Sequence, residues 1–339
     1  MSFTLHFNSF ENTQLLDISA LEALAKCPQS NKFDSIVFDA YFNQPISKLP
    51  AFIKHIDFGL NFRENISDIG DHIESIIFHS ANFNYDLATF PKELRKLSIG
   101  CDNITSRIEN INPGLETLTI QCETFNGELD LANTNITSID ISSNAFNQSL
   151  PCLPTGLKTL EINCNRFNSP VDNLPPGLEL FKISSSIFNQ SIDNLPSGLK
   201  TLILQNVDLF IQPLNNLPHG LENFDLHLGY HYDNSGAHIY KHTLENLPSS
   251  IRKLVLANYW GNLNTISDSI VELDIWFPPN KSKEASMLIQ DWKKLPSALQ
   301  ILDVNKVISI IHKKHNMTDI IKSNMNMNLK GIYLNGALM

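Results

Sequence analysis

The sequence predicts a leucine-rich-repeat solenoid, β-dominated, with a curved parallel sheet of about 14 short strands and a thin convex side of extended or 3-10 segments. Three observations predict it. Phe-Asn recurs at Phe83, Phe125, Phe146, Phe167 and Phe188, the last four spaced 21 residues apart. The segment Leu157-Lys-Thr-Leu160-Glu-Ile162-Asn-Cys-Asn165-Arg-Phe167 fits L-x-x-L-x-L-x-x-N-x-L at every position. The stretch before the next strand holds Pro170, Pro175, Pro176 and Gly177, and proline has no amide to give a helix interior.

Residues 1–30 read as an N-terminal cap. Residues 3 to 10 are predicted as a strand, and Asn12-Thr13 offers N-cap chemistry for a helix with Leu15, Ile18, Leu21 and Leu24 on one face, ended near Pro28. The exposed end coil of a solenoid requires such a cap. The array proper spans 31–278. Its strands are marked by Phe33, Ile53, Ile73, Leu94, Leu115, Ile136, Leu157, Leu178, Leu199, Leu221, Ile251, Ile270, Leu299 and Leu329, the last two running on into the C-terminal segment. Spacing is 20 to 22 as far as Leu221 and 30 across the next repeat, which places an insertion around 229–250. Residues 279–339 read as irregular last repeats and a helical C-terminal cap, with helices over Ser282–Lys294 and Val307–Lys322 and one more strand at Leu329–Leu334.

Each column of the repeat has a physical task. The first, fourth and sixth positions face inward from parallel strands stacked about 4.8 Å apart. At the eleventh position Phe62, Phe83, Phe125, Phe146, Phe167 and Phe188 are expected to form an aromatic spine, ring over ring. Asn144 and Asn165, at the ninth position, are expected to satisfy backbone groups where the chain leaves the strand, and the Asn after each Phe to do so one turn later.

The unit from Phe188 to Leu204, F-N-Q-S-I-D-N-L-P-S-G-L-K-T-L-I-L, resembles the FNIP repeat, a leucine-rich-repeat variant of social amoebae and of giant viruses that infect amoebae. The likeness runs from about Phe42 to Leu256. Many members of that family carry an F-box and are taken as substrate receptors of ubiquitin ligases. The first 30 residues are shorter than an F-box, so the resemblance implies, as an alternative function, a substrate-recruiting subunit that works through a separate adaptor.

Composition narrows the classes. The chain has 25 basic and 35 acidic residues, a formal charge of −10, and no basic run, which argues against nucleic-acid and anionic-membrane partners. No apolar stretch reaches 18 residues, and no charged segment followed by an apolar one opens the chain, so neither a membrane span nor a signal peptide is expected. Five cysteines without a close pair suit a reducing compartment. The sequons at Asn147 and Asn189 fall in the post-Phe column, where a glycan would break the stack. The expected location is cytoplasmic, the host cytoplasm for a viral source.

Two sets of side chains raise the question of metal. Cys101, Cys122 and Cys164 share the eighth column with Ser80, Ser143 and Ser185, and small-residue packing explains them better than zinc. His227, His231, His238 and His242 cluster at the insertion, but the Glu of a zinc hydrolase motif is absent. No nucleophile constellation appears, so a non-enzymatic protein without metal or cofactor is expected. The leading function is protein recognition on the concave face. Its fifth column carries Asp57, Asp140, Glu161, Lys182, Asp225, Asp274 and Asp303, an acidic stripe suited to a basic partner. The predicted partner-binding residues are Asp140, Glu161, Asp225, His227, Tyr230, Trp260, Trp276 and Phe277, because Trp and Tyr dominate binding hot spots.

Overall fold

The computed structural model describes residues 3–7, 33–80, 83, 85–104, 107–229, 240, 242–277, 296–305, 331–334 and 337–338. The helices predicted at Leu15–Leu24, Ser282–Lys294 and Val307–Lys322, and the insertion residues 230–239, lie outside that set. The chain divides into two compact units, Met1–Cys164 and Asn165–Met339. Both are parallel β-solenoids, and no α-helix occurs among the described residues.

The first unit contains β1 (Phe3–Phe7), β2 (Phe33–Phe38), β3 (His55–Phe58), β4 (Ser75–Phe78), β5 (Lys96–Cys101), β6 (Thr117–Cys122), β7 (Ser138–Ser143) and β8 (Thr159–Cys164). Each pairs in parallel with its neighbours in sequence. The second contains β9 (Leu180–Ser184), β10 (Thr201–Val207), β11 (Asn223–Leu228), β12 (Lys253–Ala257), β13 (Glu272–Trp276), β14 (Ile301–Asn305), β15 (Gly331–Leu334) and β16 (Ala337–Leu338). There too the order follows the sequence, parallel as far as β15, with β16 antiparallel on its edge. β2 to β15 answer the fourteen sequence markers in turn.

The markers from Ile53 to Leu299 face inward as expected, but they stand just before their strands rather than in them. Leu157, Leu178, Leu199 and Leu221 precede their strands, and each donates its N–H to the carbonyl of a proline three residues back (Pro154, Pro175, Pro196, Pro218) at 3.1 Å. Proline needs no donor there, since its carbonyl is what the turn uses. The turn closes the return leg, and the marker side chain drops into the core with no exposed surface. The fourth and sixth positions follow it inward, as Leu160 and Ile162 do in β8. Two short 3-10 turns, Leu87–Thr89 and Leu263–Thr265, are capped by Asp86 and Asn262.

Aromatic rings run through the cores. In the first unit Phe42 stacks on Phe62 at 6.0 Å and Phe125 on Phe146 at 5.6 Å. Phe83 departs from the expected spine: it meets Phe78 edge-on at 5.4 Å, and in the next coil Ile104 fills the column. In the second unit the stack is longer, Phe167, Phe188, Phe210 and Tyr240, with spacings of 6.2, 6.1 and 6.2 Å.

The turn out of the strand is held by two polar columns. Ser143 donates to the Phe125 carbonyl at 2.8 Å and accepts from the Ala145 amide at 3.0 Å. Ser185 repeats this in the second unit, donating to Phe167 at 2.8 Å and to Asn165 at 3.2 Å. The eighth column thus satisfies backbone of the preceding coil, where the sequence pattern suggested only small-residue packing. The post-Phe asparagines form the expected ladder. Asn43, Asn126, Asn168 and Asn189 each accept, through Oδ1, the amide of the equivalent residue one coil on (Arg63, Asn147, Asn189 and Ile211), at 2.8 to 2.9 Å.

Irregular repeats are absorbed without breaking the columns. The 22-residue repeat from Leu199 places its extra residue in a β-bulge, where Asn206 adopts φ 52°, a conformation asparagine tolerates better than most residues. Val207, in register with Leu228, then takes the inward place, and Phe210 stays on the stack. At the bend after β3, a Cβ on Gly59 would lie 1.9 Å from the Asp39 carbonyl, so only glycine fits.

Phe188 lies between two rings and is fully buried, so Phe188→Ala should destabilise the second unit by about 3–5 kcal/mol. The exposed turn substitution Thr155→Ala should shift stability by less than about 0.5 kcal/mol. Ser185→Ala, which strands two carbonyls, should fall between, at about 1–3 kcal/mol. Urea denaturation midpoints test the order of the three.

Candidate functional site

Alternate strand residues leave the core and form an outward face. In the first unit Asp140 and Glu161 are register partners on β7 and β8, half-buried, with Thr119 beyond Asp140 on β6. The structure thus brings the predicted acidic neighbours together. Asp57 is otherwise engaged: its Oδ1 lies 3.2 Å from His79 Nε2. A hollow of about 360 Å³ beside this face is lined by Gln121, Cys122, Glu123, Ser142, Ser143, Asn144 and Asn163, mostly amide and hydroxyl groups.

The second unit carries the richer face. Three outward rows cross its strands: Asn223, Lys253, Glu272 and Ile301; then Asp225, Val255, Asp274 and Asp303; then His227, Ala257 and Trp276, whose register partner on β14 is Asn305. Lys253 Nζ lies 3.4 Å from Glu272 Oε2. Desolvation dominates the remaining charges. Burial pushes the Asp225 carboxyl up, partly opposed by His227 and Lys253. Asp274 is raised by burial too, with Lys253 opposing and Asp303 adding repulsion. Asp303 moves the same way for the same first reason. Burial holds His227 below its ordinary value, against the pull of Asp225. Asp303 Oδ1 and His227 Nε2 are buried atoms with no hydrogen-bond partner among the described residues.

The predicted aromatics separate. Trp276 is 44% exposed, in register with the small Ala257 on one side and Asn305 on the other. Phe277 points the other way and is 4% exposed, with Trp260 packed on it at a ring distance of 5.0 Å. Those two rings pack on each other just past the C-terminal ends of β12 and β13. Tyr230 and Tyr232 lie outside the described residues, as do His231 and His238. His242 contacts the Ile211 carbonyl through Nε2 at 2.9 Å, away from His227 and its row.

Thiol chemistry finds no support in the environment of the cysteines. Cys101 and Cys122 are register partners, as their spacing implied, but burial pushes the Cys101 thiol up, and that of Cys164 up to about 12. A nucleophile or a metal ligand needs the opposite shift. Among the described residues no group of three or more His, Cys, Asp or Glu converges as a metal site, and no helix is long and apolar enough to cross a membrane.

Sequence reasoning missed the ion pairs that tie one coil to the next, such as Glu179 with Lys200 at 3.1 Å and Asp71 with Lys92 at 2.9 Å. Opposite charges set one repeat apart were the signal. It also missed Tyr240, which restores the aromatic stack beyond the insertion. No protein-family model matches the chain, and no curated protein matches it.

The raised carboxyls carry a pH signature. A carboxyl whose folded pKa exceeds its unfolded value near 3.8 favours folding below that value, and this stability is lost as pH rises through the folded pKa. Asp274→Asn should therefore raise the thermal midpoint at pH 7 and change it little at pH 3.5, read by circular dichroism against the native chain.

Proposed function

We propose that this protein is a non-enzymatic recognition scaffold that grips a partner protein on the outward face of its strands, principally on β11 to β14. The observation that carries the reading is Trp276, a large ring left 44% exposed on a regular sheet beside half-buried carboxylates. Both features oppose stability. Burial of the Asp225, Asp274 and Asp303 carboxyls is not fully offset within the chain, since each stays raised. Residues that weaken a fold while facing outward are commonly retained for binding. A tryptophan amid polar neighbours is the usual anchor of an interface, and the surrounding acidic groups favour a basic partner and speed its approach.

The remaining outward columns of the second unit suit the rim of such an interface. Thr201 and Gln205 are short or uncharged and contribute complementarity rather than anchoring. A cytoplasmic location and kinship with FNIP-repeat proteins belong to the same reading, and they rest on the repeat pattern and the thiols.

Capture of partners from an amoeba lysate tests this. Trp276→Ala should weaken capture about thirtyfold, equivalent to roughly 2 kcal/mol, with an unchanged thermal midpoint. Raising the salt concentration should slow association. Undiminished capture by the Trp276→Ala, His227→Ala double variant in a normally melting protein would overturn the site. Ligase subunits among the captured proteins would favour the adaptor-linked ubiquitin role.

A further inference from the structure

We infer that the outward face of β13 and β14 recognises arginine: a guanidinium of an arginine-bearing segment in the partner lies flat on the Trp276 indole and donates to the Asp274 and Asp303 carboxylates. This rests on the recognition reading above and names the chemistry of its partner.

Placement comes first. Asp274 and Trp276 are two apart on β13, so they project from the same face roughly 6.6 Å apart along the strand. Asp303 is the register partner of Asp274 on β14, about 4.8 Å across. The indole and the two carboxylates thus border one patch. On the β12 side, Trp276 is flanked by Ala257, whose methyl leaves the ring uncovered.

Charge points the same way. Across β11 to β14 the outward rows hold Asp225, Glu272, Asp274 and Asp303 against a single cation, Lys253, and that ammonium lies 3.4 Å from Glu272. Asp303 Oδ1 is buried and has no hydrogen-bond donor among the described residues. The upward shift of both carboxyls through burial is consistent with sites stabilised by an added positive charge.

The shape of the patch selects between cations. An ammonium is a strongly hydrated point charge and gains little from a flat ring beside a carboxylate row. A guanidinium is planar and weakly hydrated; it stacks on indole while its edge donates in parallel to carboxylate oxygens.

Isothermal titration of the full chain with capped peptides of alternating glycine and arginine, glycine and lysine, and glycine and citrulline tests the inference. The arginine peptide should bind about tenfold more tightly than the lysine peptide, and the uncharged citrulline peptide should not bind measurably. Asp274→Asn and Trp276→Ala should each weaken arginine binding about tenfold or more. Lys253→Met should strengthen it, because the competing cation is removed, and a gain cannot arise from misfolding. Equal affinity for arginine and lysine would overturn the guanidinium assignment while leaving an acidic recognition face. Failure of both cationic peptides to bind, or affinities unchanged in all three variants, would overturn the inference altogether. The scaffold reading would then still be decided by Trp276-dependent capture of a protein partner.

Discussion

Phase is the constraint on which the rest of the structure depends. A single coil of about 21 residues cannot bury its own apolar side chains, so each inward residue must find its equivalent in the coils before and after it. Strand pairing sets the repeat distance on one side. On the other the Phe column must keep step, with ring spacings of 5.6 to 6.2 Å in its stacked runs. The asparagine ladder links the two. Each Oδ1 accepts an amide one coil on, at 2.8 to 2.9 Å, directly after the ring. A slip of one residue would lose the ring contact and the ladder hydrogen bond together.

That coupling explains how the chain accommodates irregular repeats. The extra residue of the 22-residue repeat is taken up by the bulge at Asn206 near the end of β10, and the insertion falls between β11 and Tyr240 in sequence. Beyond each irregularity the column resumes, on Phe210 and on Tyr240. Strands on either side of the insertion therefore keep their register, and β11 to β14 present unbroken outward rows. The candidate site inherits its geometry from this. Asp274, Asp303 and Trp276 hold fixed spacing because the core beneath them, Leu273, Ile275 and Leu302, is buried and in phase.

Much of the fold was legible because periodicity encodes it directly. Fourteen markers gave fourteen strands in order, and the proline-rich return leg could not be helical. What the pattern hid was the division of labour among polar positions. The pattern presents Ser143 and Ser185 as small-residue packing, and only their inward direction shows that their hydroxyls bond carbonyls of the preceding coil. The candidate site was half legible. The acidic column and Trp276 follow from strand alternation, which places odd positions outward. Phe277 follows the same alternation inward, one residue later, and choosing residues by aromatic type alone overrode it. Desolvation of Asp225 and Asp274 was not visible at all, since burial of a surface carboxylate depends on the neighbouring strands and not on the residue's own repeat.

Native-state hydrogen exchange, resolved by residue, tests the coupling of ring and ladder most directly. If the Asn ladder locks the coils in phase, the amides of Asn147, Asn189 and Ile211, which lie in turns and bond to side chains rather than to a sheet, will be protected to the same degree as strand amides such as those of Leu202 and Leu204, and will open with them. Exchange of those turn amides at the rate of an unstructured peptide, with the strands still protected, would contradict the account and leave strand pairing alone to hold the register.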